Sequence, residues 1–77
     1  MPYVTSFERI AMARERQAGL VQGLQEGIAS VLETRFGSAS KRLASKVQAI
    51  QEVERLRELM RVAQVADSLN DLRRLLG

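Results

Sequence analysis

The chain has 77 residues, 12 of them Lys or Arg and 9 Asp or Glu, for a formal net charge of +3. It contains no cysteine and no histidine, which excludes disulfides, thiolate metal sites, a cysteine nucleophile and the commonest general base. A chain this short reads as one small domain or a fragment of a larger chain, and it buries only about 60% of its unfolded surface, so core borrowed from a partner would stabilise it.

Residues 1–5 read as an extended lead-in, because Pro2 cannot sit inside a helix. Thr5-Ser6-Phe7-Glu8 fits a capping box, with Thr5 as N-cap and Glu8 three residues on. A long helix over residues 6–36 follows, roughly 45 Å if unbroken. Phe7, Ile10, Val21, Leu24, Ile28 and Val31 fall on a stripe spaced by three and four. Arg14 and Gln17 interrupt it, so the helix is expected to bend or loosen between Arg14 and Gly19.

Within this helix the tetrad Gly-(Leu/Ile)-x-x occurs three times, as GLVQ, GLQE and GIAS. Residues four apart share a side of a helix, so Gly19, Gly23 and Gly27 form one line and Leu20, Leu24 and Ile28 a second beside it. Each interior glycine costs about 0.8–1.0 kcal/mol relative to alanine. Close approach of a second helix along the bare backbone would offset that cost, as in small-xxx-small packing. The candidate self-association residues are therefore Gly19, Leu20, Gly23, Leu24, Gly27, Ile28 and Val31. Two other readings stand beside this one: a loosened spacer helix, and packing within the monomer against Leu56 and Leu59.

Gly37 can take the left-handed conformation that ends a helix, and Ser38 and Ser40 are N-cap candidates for the next. Residues 38–77 then read as a small helical bundle. Leu43, Ala44, Val47 and Ile50 give an apolar face to a helix of about ten residues, and a break is expected near Ala49 to Gln51. Gln51 to Ala66 is strongly helical, with Val53, Leu56, Leu59, Met60 and Ala63 on one face. Glu54–Arg57 and Glu58–Arg61 are i,i+3 pairs worth about 0.2–0.5 kcal/mol each. Ser68 caps a last helix with Asp71 in the capping-box place, and Arg73 and Arg74 complement its C-terminal dipole. Val and Ile never alternate as in a strand. The fold class is all-α: one long N-terminal helix with Gly-x-x-x repeats, then two or three short helices in a small bundle. Leu43, Val47, Leu56, Leu59, Met60, Ala63, Leu69 and Leu72 are the expected core.

Catalytic chemistry finds no foothold. GLQEG lacks the Lys-Ser/Thr of a phosphate loop, and Ser38 and Ser40 have no histidine to activate them. Glu54 and Glu58 share a face, but Arg55, Arg57 and Arg61 surround them and favour ion pairs over a bound cation. The expectation is no enzyme, no cofactor and no metal. Arg35, Lys41, Arg42 and Lys46 form a basic cluster without an intervening acid, which admits a nucleic-acid-binding alternative. The glutamates at 52, 54 and 58 disfavour the following helix as a recognition helix. The longest apolar run, Ile10 to Ala13, is too short to span a membrane. MPYVTSFER lacks the layout of a secretory signal, so the expected location is cytoplasmic.

The order MPYVTSFERIA, then GLVQGLQEG, then VLETRFG, then SLNDLRRLL, resembles the C-terminal region of bacterial recombination-promoting nuclease / putative transposase proteins of the PD-(D/E)XK nuclease superfamily. The resemblance covers essentially all of the chain. It implies a glycine-tetrad helix of variable length, an Arg35-Phe36-Gly37 helix stop and a small α-helical domain of unknown function. It also implies a nuclease core upstream, whose catalytic acids have no counterpart here: the only proline is Pro2, and no Asp follows it. With only three tetrads, the spacer role is weakened and the packing role strengthened. The combined expectation is a non-catalytic module that forms a homo-oligomer, dimer or tetramer, as the accessory region of such a protein.

Overall fold

A run of 31 residues without proline, stopped by a glycine, becomes one continuous helix in the computed structural model of this chain. The structure describes residues 6–76, with side chains at 9 and 12–76; the Pro2 lead-in and the Thr5–Glu8 capping box lie outside that description. Helix α1 runs Ser6–Phe36, 31 residues, about 46 Å at 1.5 Å per residue. That length accounts for most of the long axis of a molecule measuring 53 × 21 × 19 Å. The interruption at Arg14 and Gln17 does not divide the helix. Stripe residues and helix propensity are separate matters, and arginine, glutamine and alanine are all good helix formers.

Gly37 ends α1 at φ +67°, the sole positive φ among the described residues, as its lack of a Cβ permits. A short 3-10 turn, Gly37–Ser40, leads directly into α2, Lys41–Gln48. Here the expected serine caps are corrected. Ser40 sits at φ −84°, ψ −3° and makes no side-chain cap bond to α2. Its hydroxyl donates back to the Gly37 carbonyl at 2.8 Å, while the Ser38 carbonyl accepts the Lys41 N–H. An N-cap hydroxyl normally works from an extended backbone, and the 3-10 turn withholds that geometry.

The chain leaves α2 through Ala49 and Ile50, whose N–H groups donate to the Lys46 and Val47 carbonyls at 3.1 and 3.0 Å. Helix α3, Val53–Val65, starts after Glu52, which is extended at ψ 118°. It stops at Ala66, extended at ψ 137°, whose N–H still reaches the Val62 carbonyl. Helix α4, Leu69–Leu76, carries Asp71 in its first turn and Arg73 and Arg74 in its last. The Ser68 carbonyl accepts the Asp71 N–H at 3.3 Å. No strand occurs among the described residues, so the architecture is all-α, one long helix followed by three short ones.

The core joins all four helices. It holds Leu43 and Val47 of α2, Leu56, Leu59 and Ala63 of α3, Ala66, Leu72 of α4, and Val21, Ile28 and Leu32 of α1. Met60 and Leu69 pack against it half-buried. Burying side chains of this size is worth about 1.5–3 kcal/mol each. On α1 the buried positions are Val21, Gln25, Ile28 and Leu32, a 4-3-4 spacing that marks one helix face. This face lies to one side of the Leu24–Ile28–Val31 stripe: Ile28 is shared, while Leu24 and Val31 form a half-buried flank. The bundle therefore grips α1 from Val21 onward. Arg9 and every residue from Met12 to Leu20 are exposed, so the N-terminal part of the helix outruns its own core.

Candidate interaction surface

The tetrad glycines meet different fates on the same helix. A Cβ placed on Gly27 would lie 2.7 Å from Met60 Cε, whereas one on Gly19 or Gly23 would meet nothing within 4 Å. Gly27 is thus a notch that admits a methionine from α3. Polarizable, unbranched methionine suits an irregular gap of this kind. Gly19 and Gly23 repeat the notch at positions where no other described residue comes within reach.

The residues singled out for self-association divide accordingly. Ile28 is fully buried in the core and Gly27 faces Met60, so both serve the fold of the single chain. Val31 is half-buried against the core. Gly19, Leu20 and Gly23 point outward, with Leu20 42% exposed. Leu24 stands at the boundary. It lines an open groove of roughly 470 Å³ with Met60, Glu54, Arg57 and Arg61 of α3.

The basic cluster also divides. Lys41, Arg42 and Lys46 are exposed on α2, with Lys46 in its last turn. Arg35 is exposed too, but its guanidinium is engaged on α3. Its Nη1 donates to the Ala63 carbonyl at 2.6 Å, and its guanidinium lies 4.9 Å from the centroid of the Phe36 ring. Ala63 is in the final turn of α3, where carbonyls lack helical partners and attract cations. Arg35, exposed like the other three, therefore also serves as a cap on α3.

Gln25 was not foreseen as structural. Its polarity reads as an interruption of an apolar helix, yet it is buried, and its Nε2 donates to the carbonyls of Gln48 at 3.1 Å and Ile50 at 2.7 Å. One amide thereby satisfies two carbonyls at the point where α2 ends and the chain turns toward α3. A buried polar group at low cost is one with its partners in place. Its position three residues before Ile28 was the available signal, since it shares the face of Val21 and Leu32.

Among the described residues, no group of three or more acidic side chains comes together to hold a metal ion. No described helix is long and apolar enough to cross a membrane. No protein-family model, curated protein or solved structure matches this chain.

Proposed function

We propose that this chain is a non-catalytic interaction module that self-associates, as a dimer or tetramer, through the outward part of α1. The contact is assigned to Gly19, Leu20, Gly23 and Leu24. The observation that carries this reading is the contrast between equivalent glycines: within the chain, Gly27 takes up the Met60 side chain, while Gly19 and Gly23 stand open beside an exposed leucine. A helix from a second copy can approach the bare backbone there as α3 does at Gly27. The uncovered part of α1 also has little stability of its own, because isolated short helices are marginal in water.

On the resemblance of its motifs, the module is the cytoplasmic C-terminal accessory region of a nuclease/transposase-like protein. It would hold copies of an upstream nuclease domain together, without supplying catalytic groups. Sedimentation equilibrium from low micromolar to near-millimolar concentration, with circular dichroism on the same samples, tests the assembly. The expected result is a helical oligomer whose dissociation lowers helicity, and at least a tenfold weaker association in Leu20→Glu. A helical monomer at every concentration would sink the proposal.

Binding of nucleic acid is the second reading. It draws on the exposed cations Lys41, Arg42 and Lys46, which share the eight-residue α2 with no acid. Tight binding that falls steeply with salt, and weakens when Arg42 and Lys46 become glutamine, would favour it over self-association.

A further inference from the structure

Helices α2 and α3 have no glycine stop. Ala49 and Ala66 follow their last residues, at the place where a left-handed glycine commonly takes up the free carbonyls. The carbonyls are met from α1 instead. Gln25 Nε2 donates to Gln48 and Ile50, one on each side of Ala49, at 3.1 and 2.7 Å. Arg35 Nη1 donates at 2.6 Å to Ala63, one of the last carbonyls of α3, which lack helical partners. Arg55 of α3 does the same for Leu75 of α4, at 3.3 Å and on the surface.

Gln25 and Arg35 are ten residues apart on α1, about 15 Å along its axis. One fastens the chain just before α3 and the other fastens its final turn, with Met60 seated over Gly27 between them. Helices of 8 and 13 residues are marginal in water on their own, so α2 and α3 persist only while docked. Both donors reach their carbonyls only while α1 keeps its helical spacing from residue 25 to residue 35. Gly27 has the lowest helix propensity in that interval.

We propose that Gln25 and Arg35 are paired latches that make α2 and α3 conditional on an unbroken α1, so that the three open and close as one unit. A kink of α1 at Gly27 would draw both donors away from their carbonyls and release α2 and α3 together. The device belongs to the single chain and stands whether or not copies associate.

Native-state amide exchange of the full chain tests it, measured residue by residue at a concentration where the chain is monomeric. In the unaltered protein, the slowest amides of α2, α3 and residues 25–35 should open with the same free energy, as one cooperative unit. Arg35→Met removes an exposed donor and keeps an unbranched side chain, so the variant should fold. It should quicken exchange at least tenfold in α3 and equally in α2, which Arg35 does not touch. Replacing an exposed residue that holds nothing usually changes stability far less. Gln25→Met should act on the same amides, and Arg35→Lys, which retains a cationic donor, should recover part of the loss. Arg55→Met removes the same kind of bond outside the pair, and its effect should stay within α4.

Faster exchange confined to the last turn of α3 in Arg35→Met would overturn the proposal and leave Arg35 a local cap. Slowest amides of α2 and α3 that differed more than tenfold in the unaltered chain would overturn it as well. If Gln25→Met lost its helicity outright, the two Arg35 variants would decide alone, by whether α2 responds.

Discussion

The two parts of α1 share one sequence pattern and differ in everything that surrounds it. From Val21 to Leu32 the helix is clasped by α2 and α3, and four positions are buried. From Met12 to Leu20 every residue is exposed. The tetrad repeat continues across the boundary, so the repeat alone does not place the core. What differs is the supply of docking residues opposite each tetrad: Met60 for Gly27, and the Gln48 and Ile50 carbonyls for Gln25. A repetitive helix acquires an inside and an outside only where another element supplies its complement.

Paired substitutions, one at a covered and one at an uncovered position of α1, sharpen this comparison. The largest contrast is expected for truncated aliphatics. Ile28→Ala should cost about 2–5 kcal/mol, the range for emptying a fully buried site. Leu20→Ala, at an exposed position, should stay within about 0.5 kcal/mol in the monomer. Urea unfolding at low protein concentration reads both. Equal losses at the two sites would break the distinction between a clasped and an uncovered segment.

The glutamines give the next contrast. Gln25→Ala strips the donor from two carbonyls at the α2–α3 junction and should cost roughly 1–3 kcal/mol. Gln22, three residues earlier, donates only to exposed Glu26 at 3.3 Å. Its replacement by alanine should change stability by no more than about 0.5 kcal/mol. Amide exchange at the junction should quicken in Gln25→Ala and stay unchanged in Gln22→Ala; junction protection that survived the loss of Gln25 would count against the clamp.

The glycines give the smallest contrast and the most specific one. Gly23→Ala meets nothing and should stabilise the isolated monomer by about 0.8–1.0 kcal/mol through helix propensity. Gly27→Ala carries the same propensity gain but pushes on Met60 Cε, so its net gain should be smaller. The displaced atom ends a flexible side chain, which keeps the difference below about 1 kcal/mol. Thermal unfolding of the two variants side by side measures it. An equal gain at both sites would show that Gly27 is not a notch. In the proposed oligomer the order should reverse for Gly23, whose alanine would obstruct a second copy.

Much of the fold is written locally and can be read from local rules. The absence of proline between Ser6 and Phe36, and the glycine after it, delimit α1. Gly37 reads as a left-handed stop and adopts φ +67°. The expected break after α2 occupies residues 49–52, and six of the eight residues assigned to the bundle core are buried, with Met60 and Leu69 half-buried. The serines before α2 show the limit of such rules. They have the right side chain for a cap, but Ser40 occupies the wrong backbone conformation for it.

Periodicity, composition and helix stops are properties of neighbouring residues, so the chain by itself determined an all-α architecture, its helix order and the residue types that could build a core. Which face of α1 points inward was decided by tertiary structure. The most apolar stripe ran through Leu24 and Val31, yet the buried one runs through Gln25, because carbonyls 23 and 25 residues away satisfy its amide. Arg35 was likewise claimed by the Ala63 carbonyl, 28 residues on. A polar side chain has no fixed place until its partner is in position, and those partners exist only once α2 and α3 have folded back along α1.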